Sequence, residues 1–188
     1  MALKCKLQSY MQASAPPRRD PARRRAVLQA AAATFAHAGY AATSMEEIAA
    51  KAGVTKLIVY RHFGSKEALY RSVLAQVFER QAELFLANVA HGIQAEGTTR
   101  ALIEVAREWP DGFRLVWRHA AREPQFAAEA NDLREIAVNA ARNVVQPFIA
   151  PPFTEWAAHM LFDHLVDAVL DWLDHGDSVR DDDFVRYE

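Results

Sequence analysis

The chain has 188 residues, about half of them apolar (51%), and a formal net charge of −2. That is enough apolar material for a sizeable core and excludes a disordered chain. A single cysteine, Cys5, excludes an internal disulfide and points to a reducing compartment, while no segment approaches the roughly 20 uninterrupted apolar residues of a membrane span. The first residues, Met1 to Tyr10, also lack an apolar stretch of signal-peptide length, so the expected location is the cytoplasm.

The small net charge hides a division. Residues 1–70 hold 11 Lys and Arg against 4 Asp and Glu, a net of +7; residues 71–188 hold 11 against 20, a net of −9. A basic head on an acidic body suits one polyanion-binding end, because Lys and Arg gain affinity by releasing counterions from phosphates. Charged faces that merely keep the protein solvated give the same count.

In chain order, residues 1–19 contain Ala15-Pro16-Pro17 and little apolar periodicity, which predicts a flexible basic arm. Asp20-Pro21 reads as an N-cap followed by proline at the first helical position. The helix it opens sets Val27, Leu28, Ala31, Ala32 and Phe35 on one face and is expected to stop at Gly39. Arg18, Arg19, Arg23, Arg24 and Arg25 cluster at this junction, either as a DNA-following arm or as a solvated helix start.

Ser44 with Glu47 forms a capping box, and Ile48, Ala49 and Ala52 give the second helix an inner face. Gly53 can take the positive φ that ends that helix abruptly. Thr55 caps a third helix running to Phe63, in which Val59 and Phe63 lie four apart and face inward. Ser65 caps a long amphipathic helix to about Ala90, with Leu69, Val73, Val77, Leu84 and Phe85 among its apolar positions.

A short helix, a glycine turn, a second short helix and the start of a third, over Thr43 to Tyr70, make the layout of a helix-turn-helix that sets its second helix in the DNA major groove. Beyond it, breaks at Gly92 and Gly97, Pro110 to Gly112, Pro124, Pro147 and Pro151-Pro152 mark candidate helices near 98–108, 112–122, 125–146 and 153–175. Asp177 to Glu188 reads as the beginning of one more. No stretch alternates as a strand does.

Thr43-Ser44, Ile48-Ala49, Ala52-Gly53-Val54, Tyr60, His62-Phe63, Ser65-Lys66-Glu67 and Leu69 stand in the order and spacing of one family. From Arg24 to Leu74 the chain resembles the DNA-binding domain of the tetracycline-repressor (TetR) family of bacterial transcription regulators. The resemblance implies an all-α fold. A helix-turn-helix DNA-binding domain over 20–70 is joined by a long helix to a helical effector-binding and dimerisation domain over 71–188.

It also implies site residues. Thr43 and Ser44 offer a hydroxyl and backbone N–H groups to a phosphate, Tyr60 and His62 face the DNA backbone, and Lys66 reaches phosphate. Thr55, Lys56, Leu57 and Arg61 are the side chains most free to meet base edges. Lys56 and Arg61 can donate to guanine or settle on phosphate. Members of the family usually carry a small residue where this chain has Leu57, and two bulky neighbours, Leu57 and Ile58, cannot both be buried in so short a helix. Either Leu57 packs on thymine methyl groups, favouring A·T pairs, or it packs against the first helix.

In the body, the resemblance implies a pocket for a small effector, with Phe85, Phe113, Trp117, His119 and Phe162 as candidate lining. It implies a homodimer built on the last two helices. The stripe Trp156, Met160, Leu161, Leu165, Val169, Leu170 and Trp172 is a candidate interface, although few residues remain for its partner helix.

His159, Asp163 and Asp167 at four-residue steps read as an acidic face or a metal site, the former being simpler. No signature of a nucleophile, nucleotide loop or zinc site is present, so neither catalysis, metal nor cofactor is expected. The expected function is repression at a palindromic operator in double-stranded DNA, relieved by a small molecule. Alternatives are an effector-independent DNA-organising or occluding protein, or a helical interaction or enzyme domain carrying a non-functional helix-turn-helix.

Overall fold

The computed structural model describes residues 21–90 and 95–187, and these contain helices and turns but no strand. Helix α1 spans Pro21–Ala42, α2 Met45–Lys51, α3 Lys56–Phe63 and α4 Lys66–Ala90. Helix α5 follows over Ala95–Glu108, α6 over 110–122, α7 over Ala127–Val145, α8 over Phe153–His175 and α9 over Asp181–Tyr187. The arm with Cys5, Arg18, Arg19 and Asp20, and the break expected at Gly92, lie outside the described residues.

Caps explain most boundaries. At α2, Ser44 Oγ accepts from Glu47 N (3.2 Å) while Ser44 N donates to Glu47 Oε2 (2.8 Å), the reciprocal box. The turn that follows needs Gly53 at φ 66°, a region costly for any side chain. Thr55 and Ser65 cap α3 and α4 through Ile58 N (3.4 Å) and Ala68 N (3.0 Å). Helix α1 leaves helical geometry at Gly39 (φ 79°, ψ 164°), where the sequence places its end, and one further turn carries the chain to Ala42.

Two boundaries differ from expectation. Gly97 does not break α5 but sits in its first turn, where a Cβ would collide with the Asn88 side chain of α4. Helix α6 is not uniform. It opens as an α-helix at Pro110, passes through a π-helical turn over Leu115–His119 and closes in a 3-10 turn over Ala120–Arg122. Gly112 lets it lie close to α4, since a Cβ there would come 2.7 Å from Val77 Cγ2.

One core runs through the molecule. Val27, Leu28 and Phe35 of α1 pack with Ile48 of α2, Val59 and Phe63 of α3, and Leu69, Tyr70, Val73 and Leu74 of α4. The same cluster continues through Val77 and Phe78 to Val105, Phe113, Leu133, Ala158 and Val169. Helix α4 belongs to both ends, so it connects them mechanically as well as covalently. Helix α9 closes on α5 and α8: Arg107 Nη2 and Nε donate to Asp181 at 2.8 and 3.0 Å, Trp172 Nε1 donates to Asp181 at 2.7 Å, and Trp172 stacks on Phe184 at 4.9 Å.

Candidate nucleic-acid interface and interior cavity

Helix α3 has two unlike faces. Val59 is fully buried and Phe63 nearly so, anchoring the helix, with Ile58 half-buried beside them. The outer face carries Lys56, Leu57, Tyr60 and Arg61, all exposed; Leu57 is 66% exposed and Tyr60 40%. Leu57 therefore does not pack against the first helix. It stands on the surface one turn from Arg61, and burying Ile58 instead resolves the choice between the two neighbours. His62 is half-buried at the edge, 6.2 Å from the Phe63 ring.

The charges on this face are unequally available. Lys56 is ion-paired with Glu46 at the start of α2 and lies 5.4 Å from the Tyr60 ring centroid; that hydrogen-bonded pair raises Lys56 and lowers Glu46 from their ordinary values. Arg61 has no ion-pair partner among the described residues. An exposed guanidinium beside an exposed leucine and tyrosine offers hydrogen-bond donors and apolar contact together, the combination that reads base edges in a groove.

Three of the expected contact residues occupy other roles in this structure. Thr43 is 2% exposed, and its hydroxyl donates inward to Gly39 O (2.8 Å), not outward. The Ser44 hydroxyl is engaged in the capping box. Lys66 turns its ammonium onto the carbonyls of Tyr40 and Thr43, both at 2.9 Å, and sits 4.4 Å from the Tyr40 ring centroid. A cation at a helix C-terminus satisfies carbonyls that the helix leaves unpaired. Lys66 is thus a clamp between α1 and α4, while Thr55 remains exposed at the α3 N-terminus.

The clamp adjoins an aromatic joint between head and body. Tyr70 stacks on Phe126 (4.1 Å, 14°), Tyr40 meets Phe126 and Tyr70 edge-on at 5.0 and 5.4 Å, and Phe35 meets Tyr70 at 5.0 Å. Phe126 lies in the turn between α6 and α7, and Glu123 of that turn accepts from Tyr40 N at 3.2 Å. Burial, with Glu123 and Glu129 nearby, pushes the Tyr70 phenol well above its ordinary value, and its hydroxyl finds no partner among the described residues. Nothing in the residue pattern marks this joint beyond the presence of the rings.

The body contains a partly open apolar cavity of about 70 Å³ between α4, α5, α7 and α8. Its walls are Phe78, Gln81, Ala82 and Phe85 of α4, Thr98, Ala101 and Leu102 of α5, Ile136, Ala137, Ala140, Ala141 and Val144 of α7, and Leu161, Phe162 and Leu165 of α8. Of the expected lining residues, Phe85 and Phe162 are present. Phe113, Trp117 and His119 are not: Phe113 is fully buried in the core, Trp117 touches the cavity only through Phe162 (5.2 Å), and His119 is half-buried in the π turn. Burial, then Arg118 and Arg122, lower the His119 imidazole from its ordinary value.

Small residues make this cavity, and the aromatic pattern of the sequence does not mark them. The signal was the run Ala137 to Val145, where alanines recur on one face of α7, and a lone Gln81 among the apolar positions of α4.

The dimer stripe also divides differently. Leu165, Val169 and Leu170 are buried, and Leu161 and Trp172 half-buried, so most of it is core. Exposed apolar residues stand at its other end and just before it, at Phe148 (85%), Phe153, Trp156 (63%) and Met160, and again at Val179 and Tyr187. Asp163, of the possible metal set, holds Arg134 through both oxygens at 2.5 and 2.8 Å, and no group of metal-ligating side chains occurs among the described residues.

These features define a helix-turn-helix protein whose head is fused by one long helix to an all-helical, cavity-bearing body. Residues 27–73 match the bacterial regulatory proteins of the tetR family. Over this domain the chain is similar to that family.

The chain is 31% identical over 132 residues to FasR of Mycolicibacterium smegmatis, an HTH-type transcriptional activator, covering 65% of this chain and 58% of FasR. It is 36% identical over 97 residues to RutR of Escherichia coli K12, an HTH-type transcriptional regulator, covering 50% and 46%. The match thus spans about half the length of these relatives. The crystal structure of a TetR-like transcriptional regulator from Rhodococcus sp. RHA1 superposes over 91% of this chain and 94% of its own, with a TM-score of 0.74 at 20% identity, which establishes the fold.

Proposed function

We propose that the protein is a DNA-binding transcriptional regulator that recognises a palindromic operator as a homodimer and is released from it by a small molecule bound in the body. The observation that carries this reading is the outer face of α3, where Lys56, Leu57, Tyr60 and Arg61 stand exposed on a helix anchored by Val59 and Phe63. Residues 20–70 act as the reader and 71–188 as the sensing and dimerising unit. Repression is the direction of control proposed, in the cytoplasm and without catalysis.

In this account Arg61 and Lys56 meet guanine edges or phosphates, and Leu57 contacts thymine methyl groups. Thr55, Tyr60 and His62 border the phosphate backbone, with the α2 N-terminus at Ser44 offering its backbone N–H groups. Thr43 and Lys66 support the reader from behind. The exposed Phe148, Phe153, Trp156 and Met160 support dimerisation: exposed apolar side chains just before and at the start of α8 are the most natural surface for a second copy.

Helix α4 transmits the signal. Phe78, Gln81, Ala82 and Phe85 form one wall of the cavity, and Lys66, Leu69 and Tyr70 of the same helix hold the head about 20 Å away at 1.5 Å per residue. A ligand that displaces the cavity wall tilts α4 and separates the two readers of a dimer; a coupling of about 1–3 kcal/mol lowers operator affinity five- to 150-fold.

The test is selection of bound sites from random duplex DNA by the purified full chain. The expected result is an enriched inverted repeat with half-sites about one DNA turn apart, or somewhat more, and with A·T pairs whose preference weakens in Leu57→Ala. Binding without any sequence enrichment supports the DNA-organising alternative, and no duplex binding at low salt contradicts the proposal.

A further inference from the structure

Resting on the effector role just proposed, we infer that the cavity takes an uncharged, mainly apolar molecule bearing one hydrogen-bond donor, anchored on the side-chain amide of Gln81. The described walls are aliphatic and aromatic except at two positions. One is Thr98, whose hydroxyl already accepts from Asn88 Nδ2 at 3.2 Å. The other is Gln81, whose Oε1 is buried and has no hydrogen-bond partner among the described residues. An unsatisfied buried acceptor is unfavourable, and a ligand hydroxyl or amide N–H placed against it relieves that penalty only when bound.

The same walls disfavour charge. No described lining residue is ionisable. Of the arginines on α7, Arg134 grips Asp163 through two hydrogen bonds while lying over the Phe162 ring (5.1 Å), and Arg142 pairs with Glu155 through Nη2, its buried Nε having no hydrogen-bond partner among the described residues. Arg80, one residue before Gln81, is bound to Glu104 and Glu108. Among the described lining residues a carboxylate meets no cation and an ammonium meets no carboxylate. Burying either unpaired is strongly unfavourable. Alanines at 82, 101, 137, 140 and 141 leave room for a slim chain where larger side chains would fill the space.

The test is isothermal titration of the full chain, without DNA, with four probes of equal chain length: 1-octanol, octyl methyl ether, octanoate and octylamine, all at pH 8. The expected order is octanol tightest, the ether about five- to tenfold weaker for lack of the donor, and both ions weaker by roughly a hundredfold. In Gln81→Leu, octanol is expected to fall to the affinity of the ether, and the ether to bind as before.

Octanoate or octylamine binding as tightly as octanol overturns the inference. So does equal binding of octanol and its ether by the wild type, a comparison that needs no variant, or absence of octanol binding up to its solubility. Because DNA is absent, failure here leaves the DNA-reading proposal standing, and failure of site selection leaves ligand binding intact.

Discussion

The head and the body dispose of their polar groups in opposite ways. On the head, Arg61 and Lys51 extend into solvent with no ion-pair partner among the described residues, beside exposed Leu57 and Tyr60. On the body, Arg71, Arg80, Arg107, Arg114, Arg118, Arg134 and Arg142 are each bound to carboxylates. Inside the body, Gln81 Oε1, Trp117 Nε1 and Arg142 Nε are buried without a hydrogen-bond partner among the described residues, the first of them beside the apolar cavity. In the proposed account the head offers its exposed cations to a polyanion, and the body offers its cavity to a small molecule.

If that division is right, damage at the joint between the two should have the largest effect. Phe126→Ala removes a fully buried ring stacked on Tyr70 and touching Tyr40, and is expected to destabilise the fold by about 3–5 kcal/mol in urea denaturation. A change below 1 kcal/mol would mean that head and body are not joined there.

Lys66→Met sharpens the contrast between clamp and phosphate contact. The clamp predicts a loss of about 1.5–3 kcal/mol, the range for hydrogen bonds to a charged group, with the salt dependence of DNA binding unchanged. A phosphate contact predicts the reverse, little loss of stability and a salt slope smaller by about 0.9.

Asp181 tests the body's polar lattice. Arg107 first, then the Trp172 N–H, hold its carboxylate below the ordinary value. A carboxylate lowered in the folded state adds stability that is complete above its unfolded pKa, near 3.9, and is lost as the pH falls through the folded value. Asp181→Asn is therefore expected to cost about 1 kcal/mol at pH 7, with the gap from wild type closing only below about pH 4 in acid-urea titrations.

The smallest effect concerns the head's one paired reader charge. Glu46→Gln frees Lys56 and removes a negative charge beside the DNA-facing surface, so duplex affinity is expected to rise a few-fold at low salt, less at high salt. An unchanged affinity in anisotropy titrations would place Lys56 away from the DNA.

Much of the fold was legible because its boundaries are local chemistry. The Ser44–Glu47 box, Thr55, Ser65, Pro110 and the flanking glycines fixed helix ends without reference to the rest of the chain. Inward positions on α3 were equally clear, since Val59 and Phe63 are its only apolar pair four apart.

Direction across space was not legible. Lys66 reads as a phosphate ligand until the carbonyls of Tyr40 and Thr43 arrive above it, and so does Thr43 until its hydroxyl is seen turned toward Gly39. The apolar stripe of α8 could face a partner or the core, and packing against α7 and α5 took its C-terminal part inward. The π turn carries Trp117 and His119 past the cavity, while a cavity made by alanines leaves no conspicuous residue to mark it.

The claim that the outer face of α3 reads DNA is tested most directly by Leu57→Ala, Tyr60→Ala and Arg61→Ala combined. These side chains are exposed, so the melting curve should stay close to that of the wild type. Affinity for the selected duplex is expected to fall by at least roughly a hundredfold. A triple variant that unfolds like the wild type and still binds that duplex within a few-fold would contradict the account.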